Sequence, residues 1–387
     1  MMPDNILIIL GGGCAGLSLA MRLASGVLPY KKVIILERRE TYHNDRTWCF
    51  WKVDGTHLTD LVRHHWPAFK ISSGNLGNTV DCSPTPYQMI KSLDFYDCAI
   101  ETIRQSTDIE LHLGQDIKHI YQDPKGAWVI ETDRGSHFGS VVIDTRPEKL
   151  EDTKPVLWQS FFGQEVSCSA KIFDDCIPDL MRFLPGFDDG VAFSYILPFS
   201  ETEGLLETTV FGPQRLTIED LKARQNDLVR IITKGNPFEV VRSEYGALPM
   251  GHFKTNGLNL STYFKVGNTS GSLRPSTGFA FQRIQKWAEA CSKSIRNGTG
   301  PLHYAPDPWH IRMMDYLFLR VIREAPSLAS TLFYAIFKKV RPDRVIRFLS
   351  DLGTWRDCVA IIFALPSMPF FRLLWKNLNV PHKGSPS

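Results

Sequence analysis

The first forty residues constrain this chain more than any other stretch. Asn5 to Leu10 reads Asn-Ile-Leu-Ile-Ile-Leu, a short apolar run rich in β-branched residues, as expected of a strand buried on both faces. It runs into Gly11-Gly12-Gly13-Cys14-Ala15-Gly16 and then into Leu17 to Ala24, which has helical spacing and strong helix formers. A second apolar strand, Val33 to Leu36, ends at Glu37, 21 residues beyond Gly16. Gly11, Gly13 and Gly16 fill the positions of a G-x-G-x-x-G pattern. Gly11 permits the tight turn, Gly13 lets backbone approach a pyrophosphate, and Gly16 lets the helix pack closely on the strand. Cys14 and Ala15 open a helix whose N-terminus favours phosphate charge. Glu37 is spaced to accept hydrogen bonds from ribose hydroxyls. Glycine-rich turns alone are common; strand, glycines, helix, strand and acid in register predict a dinucleotide-binding βαβ unit.

A second element of the same kind comes late. A strand at Phe264–Asn268 leads into Thr269-Ser270-Gly271-Ser272-Leu273-Arg274-Pro275-Ser276-Thr277-Gly278-Phe279, and an amphipathic helix follows from Ala280 to about Ile295. Its helix N-terminus and free backbone N–H groups are presented to a ligand. Two such elements at opposite ends of a sequence suit a cofactor with two ends, such as FAD.

Between them the pattern changes. Thr41 to Trp51 and His64-His65-Trp66-Pro67 mix polar and aromatic residues, and their indole rings are expected to line a ligand cavity or an inter-domain seam. Tyr87 to Ile103 has helical periodicity. Short strands at Ile109–Leu113, Ile117–Tyr121, Trp128–Thr132 and Val141–Asp144 predict a small meander followed by a strand. From Trp158 to about Met250 strands dominate, interrupted by a helix over Ile218 to Lys234, which reads as an inserted, mainly β domain. The expected organisation is a discontinuous FAD-binding domain (1–75, 95–150, 250–300), a substrate domain (76–94, 151–249) and a C-terminal helical region (301–387).

Charge and cysteines narrow the function classes. The net charge is +3, which does not indicate nucleic acid, yet residues 301–387 hold 12 Lys+Arg against 6 Asp+Glu, a net of +6. Lys338, Lys339, Arg341, Arg344 and Arg347 stand close to Phe333, Tyr334, Phe337 and Phe348, so this region is expected to rest on anionic lipid headgroups. The eight cysteines contain no C-x-x-C pair, so no metal site is expected and the thiols read as reduced. No uncharged run reaches the roughly 20 residues of a membrane-spanning helix. The expected location is cytoplasmic and peripherally membrane-associated.

Seven segments stand in an order that resembles the bacterial lycopene β-cyclases. They are Gly11–Leu17, Asn44–Trp48, His64–Pro67, Phe162–Glu165, Leu205–Thr209, Gly246–Pro249 and Arg274–Phe279. The resemblance spans Ile6 to about Asp351. It implies a Rossmann-type α/β fold like that of p-hydroxybenzoate hydroxylase. It also implies a non-redox cyclisation of the acyclic ends of lycopene to β-ionone rings, giving γ- and β-carotene, with reduced FAD and NAD(P)H as reductant. The family's acidic residue carries over to Glu207, its nucleotide motif to Gly11, Gly13, Gly16 and Glu37, and its flavin-side motif to Pro275, Thr277 and Gly278. Two positions depart from the pattern of related flavoproteins: Gly267-Asn268, where Gly-Asp is usual, and the bulkier Asp144-Thr145-Arg146-Pro147.

Cyclising a polyene end needs a proton delivered to a terminal double bond, a carbocation shielded from water, and a proton lost from the ring carbon. Apolar and aromatic walls exclude water, and aromatic faces stabilise positive charge. Trp48, Trp51, Trp66 and Phe279 are the expected pocket residues. Glu207 lies in the apolar run Gly204–Val210, where desolvation raises a carboxyl pKa toward neutrality; the sequence leaves open whether it gives the first proton or takes the last. The rival readings are an FAD- and NAD(P)H-dependent monooxygenase or a prenyl or carotenoid reductase of the same fold, and a membrane-bound protein that binds FAD without turnover.

Overall fold

An apolar run with no polar alternation must be covered on both sides, and the computed structural model shows how. It describes residues 5–52, 58–74, 76–147, 154–173, 176–184, 189–253 and 261–378. The chain opens with β1 (Ile6–Leu10), α1 (Cys14–Leu23) and β2 (Lys32–Leu36). Five strands follow: β3 (Thr47–Trp51), β4 (His64–Trp66), β5 (Ala68–Ser73), β6 (Leu76–Asp81) and β7 (Tyr87–Lys91). After α2 (Ser92–Arg104) come β8 (Ile109–His112), β9 (Ile117–Gln122), β10 (Trp128–Thr132), β11 (Gly135–Gly139) and β12 (Val141–Asp144). The middle of the chain supplies β13 (Leu157–Cys168), β14 (Asp179–Leu184), β15 (Val191–Pro198), β16 (Glu203–Gly212), α3 (Ile218–Ile232) and β17 (Phe238–Met250). It ends with β18 (Tyr263–Lys265), α4 (Phe281–Arg296), α5 (Trp309–Glu324), α6 (Ala329–Lys339), α7 (Pro342–Leu349), α8 (Trp355–Ala364) and α9 (Ser367–Leu378).

β1 is the centre of a five-stranded parallel sheet in the order β18-β12-β1-β2-β8. Side chains alternate between faces along a strand. Leu7, Ile9, Val33 and Ile35 therefore pack with residues of α1, α2 and α4, while Ile8, Leu10, Ile34 and Leu36 pack with Trp128 and Ile130 of the β9–β11 meander. This double cover is why the run is apolar at every position. Such a parallel sheet, with helices on one face, is a Rossmann-type arrangement.

The second large sheet has seven strands in the order β17-β13-β16-β15-β14-β5-β6. Along β16 the alternation is functional. Leu206 and Val210 pack in the clusters that contain Leu228, Val229 and Leu221 of α3, while Leu205, Glu207, Thr209 and Phe211 face a cavity. α3 is held at its start by a capping box between Thr217 and Asp220. A small sheet, β3-β7-β4, completes the β structure.

Several expectations are corrected. Tyr87–Lys91, read as the start of a helix, is a strand paired with β3 and β4, and the helix begins at Ser92. The apolar Tyr-Gln-Met-Ile stretch is buried at each position, so pairing within the small sheet overrides local periodicity. Ile109–His112 joins the parallel sheet rather than the meander, whose third strand is instead β11. The expected domain break at 75/76 falls inside the β5–β6 hairpin of the seven-stranded sheet. Beyond Leu349 two further helices, α8 and α9, extend the helical region, whose residues 379–387 lie outside the described ones. No described helix is long and apolar enough to cross a membrane.

Candidate active site

One cavity of about 1130 Å³ runs between the two large sheets and the C-terminal helices. At one end Gly13, Cys14 and Ala15 form its wall. Gly13 caps α1 with no side-chain hydrogen bond, and a Cβ added there would meet nothing within 4 Å. The N-terminus of α1 thus lines the cavity with open space beside Gly13, no side-chain cap and no acidic side chain in the first turn, a place that accepts phosphate oxygens. Burial pushes the Cys14 thiol up to about 12, so it stays neutral there.

Gly11, Gly16 and Glu37 stand behind that wall. Gly11 has φ +95° and donates its N–H to Leu36 O (2.8 Å). A Cβ at Gly16 would overlap the Gly11 carbonyl oxygen, so this glycine serves close helix–turn packing. Glu37 accepts from the Gly12 N–H (2.6 Å) and from the Arg39 N–H (2.8 Å) and Nε (3.0 Å). What Glu37 holds in this structure is the turn itself. Arg39, not singled out in the sequence, lines the cavity beside the paired rings of Tyr42 and Tyr96, 4.6 and 5.1 Å from its guanidinium.

The late loop reaches the same cavity through Gly267, Asn268, Thr277, Gly278 and Phe279, while Pro275 is buried behind it. Its expected free N–H groups are in part spent within the loop. Thr277 and Gly278 donate to Arg274 O (3.3 and 2.9 Å) and Phe279 donates to Thr277 Oγ1 (3.3 Å). Gly278 has φ +71°, and a Cβ there would lie 2.6 Å from Gln159 Oε1, a buried cavity-wall oxygen with no hydrogen-bond partner. In the other departure noted above, the Thr145 hydroxyl donates to Leu10 O and Gly11 O (2.9 and 3.0 Å), tying β12 to the glycine turn.

The aromatic expectations divide. Trp48, Trp51 and Phe279 line the cavity; Trp48 stacks on Phe281 (5.4 Å) and Trp51 meets Phe279 edge-on (5.6 Å). Trp66 does not line it. Its indole N–H donates to Pro198 O (3.1 Å) and its ring packs beside His64 and Tyr87, so it is a seam residue.

Glu207 lies on the cavity wall, on the face of β16 turned away from α3. Burial pushes its carboxyl up to about 8, with the negative charge of Glu244 adding to the rise; the Thr209 hydroxyl, which donates to it at 2.8 Å, and the Arg242 charge act the other way. Around it stand groups that sequence reading did not single out: Tyr87 and Tyr195, whose hydroxyls are hydrogen-bonded to each other, Cys49, and Glu244. Burial holds both phenols well above their ordinary value and lifts the Cys49 thiol to about 12, so all three remain neutral. They come from four strands far apart in sequence, and no local pattern announces them. The arrangement sets a half-buried, proton-bearing acid among apolar and aromatic residues that line the same cavity as two glycine loops.

The chain is similar in fold to several solved structures. A geranylgeranyl bacteriochlorophyll reductase-like protein from Thermoplasma acidophilum matches with TM-score 0.61 and 12% identity over 97% of this chain and 98% of its own. The flavin-dependent brominase Bmp2 matches with TM-score 0.61 and 13% identity over 97% and 99%. The flavin-dependent monooxygenase PieE, solved in complex with FAD and substrate, matches with TM-score 0.57 and 14% identity over 94% and 72%. At these identities the likeness establishes the fold. No curated protein matches the chain in sequence. The family model for lycopene cyclase protein matches residues 6–375, and the chain therefore belongs to the lycopene cyclase family.

Proposed function

We propose that the protein is a lycopene β-cyclase, closing the acyclic ends of lycopene into β-ionone rings by proton transfer with no net redox change. The observation that carries this reading is Glu207: a half-buried carboxyl, raised to about 8, on an apolar cavity wall that also meets both glycine loops. Such a group holds a proton at neutral pH and can give it to a terminal double bond. Leu205, Phe193 and Phe211 on the neighbouring strand positions, with Trp48, Trp51 and Phe279 lining the same cavity, exclude water that would capture the cation as an alcohol. Having given its proton to the chain end, the Glu207 carboxylate takes back the proton released from the ring carbon, so the protons balance and Glu207 ends in the form in which it began.

The residues fit FAD as cofactor. The open N-terminus of α1 at Gly13, Cys14 and Ala15 would hold the pyrophosphate, and Asn268, Thr277, Gly278 and the unpartnered Gln159 oxygen would meet the other end. Reduced FAD, with NAD(P)H as its electron source, supplies negative charge that stabilises a neighbouring carbocation while its electrons stay out of the product.

A lipid bilayer is the proposed source of substrate. The basic residues expected on lipid are largely engaged: Arg347 pairs with Asp357 (2.7 Å) and Asp343 (2.9 Å), Arg341 with Asp343 (3.1 Å), and Lys339 donates to Ala364 O (3.2 Å). The exposed face is aromatic instead. Trp309 and Phe371 are 77% and 62% exposed and line the cavity, with Phe363 (83%) and Trp375 (71%) on the same helical region.

The test is Glu207→Gln, assayed for ring closure on lycopene under strictly anaerobic conditions with catalytic reductant. The variant is expected to bind FAD as the wild type does and to form no cyclic product. Wild-type product from the variant would refute the role of Glu207. A wild-type protein that needs oxygen, or consumes reductant in step with product, is instead a monooxygenase or reductase.

A further inference from the structure

We propose that Glu244 is a positioning residue whose fixed negative charge, held across Gly163 from Glu207, keeps the Glu207 carboxyl in its proton-bearing form. β13 runs between β16 and β17, and Gly163 on it is paired with Glu207 on one side and with Glu244 on the other. Residues directly opposite one another on neighbouring strands share a face of the sheet. The three therefore form one row, and both carboxylates line the cavity.

Glycine in the middle of the row opens the space between the acids. A Cβ at position 163 would lie 3.3 Å from Glu207 Cβ and 3.4 Å from Glu207 Oε2, so the Glu207 side chain lies over the empty site. Glu244 is 6% exposed, and its charge is anchored by Arg242 Nη1 (2.8 Å) and by the Thr47 hydroxyl of β3 (3.1 Å). Arg242 is shared with Glu165 (2.7 Å), which pairs with Lys91 (3.0 Å). Glu244 thus has a guanidinium and a hydroxyl as partners, whereas among the described residues Glu207 has only the Thr209 hydroxyl.

The titratable and charged groups that surround Glu207 are Glu244 and Arg242 from β17, Tyr195 from β15, Cys49 from β3 and Tyr87 from β7. The tyrosines and the cysteine stay neutral, so the contest is between Glu244 and Arg242, and the effect of Glu244 is the larger. Two acids whose surroundings drive their protonation apart divide into a proton carrier and a fixed charge.

The inference rests on Glu207 as proton donor, but its test needs no substrate. FAD-loaded full-length protein with ¹³C-carboxyl glutamate is titrated by infrared difference spectroscopy, with Glu207→Gln identifying the Glu207 band. The wild-type band is expected to lose its protonated form near pH 8. Glu244→Gln is expected to lower that midpoint by about one unit, a tenfold fall in the proton-bearing fraction at high pH, and Glu244→Asp to restore it. The double variant R242M/E244M leaves no unpaired buried charge and is expected to lower the midpoint by less; it serves if Glu244→Gln does not fold. An unmoved midpoint in a folded variant overturns the proposal. In the pigment assay the alkaline limb of ring closure is expected to move with the infrared midpoint. If the midpoint moves but wild-type protein leaves lycopene unchanged, the pairing stands and the cyclase reading fails.

Discussion

A carboxyl on an apolar wall is costly to ionise, and that cost is measurable as stability. The Glu207 pKa in the folded protein, about 8, lies above its ordinary value of 4.5, so between these values the folded state binds the proton that the unfolded chain releases. The stabilising contribution is complete below the ordinary value and is lost as pH rises through 8, on the order of 1.4 kcal/mol per pH unit within that window. Wild-type protein is expected to lose melting temperature from pH 6 to pH 9, and Glu207→Gln, neutral throughout, to lose less. Equal losses in scanning calorimetry would show that Glu207 is not ionised at a cost. The candidate acid was legible in the sequence because it interrupts an apolar strand. Glu244 was not, because Arg242-Ser243-Glu244 reads as an exposed polar stretch and acquires meaning only when β17 is laid beside β13.

Gly13 and Gly16 of the first turn do different work. A side chain at Gly16 collides with the protein's own backbone, whereas one at Gly13 meets nothing. Gly16→Ala is therefore expected to destabilise the fold by several kcal/mol. Gly13→Ala is expected to keep the melting temperature of the flavin-free protein while losing flavin, read by absorbance after gel filtration. Flavin retention by Gly13→Ala would remove the pyrophosphate from this helix end. The strand–turn–helix–strand unit was readable because each piece carries a local cause: β-branched residues, glycines and helix formers. β7 was misread because its apolar spacing also fits a helix, and pairing with β3 and β4 decides the matter.

Across the whole molecule, the cavity ends where the exposed rings of the C-terminal helices begin, which places the greasy surface at its mouth. Trp355 of α8 is 66% exposed and also lines the cavity, and the variant Trp355→Ser/Phe363→Ser/Phe371→Ser is expected to co-sediment with anionic vesicles at least tenfold less than wild type, with the Glu207 titration unchanged. Undiminished vesicle binding would assign membrane contact to another face. The sequence by itself determined the strand–turn–helix–strand unit, the mainly β middle and the helical end, because these follow from local periodicity and residue type, and it singled out Glu207 as an acid in an apolar run, at a position the family resemblance also marks. Only the tertiary structure decided that Trp66 belongs to the seam, that the basic residues of α6 and α7 are largely occupied by Asp343, Asp357 and a helix-end carbonyl, and that Glu244 faces Glu207 across Gly163. Strand register and helix packing join residues tens to hundreds of positions apart, and no local pattern along the chain records which pairs will meet.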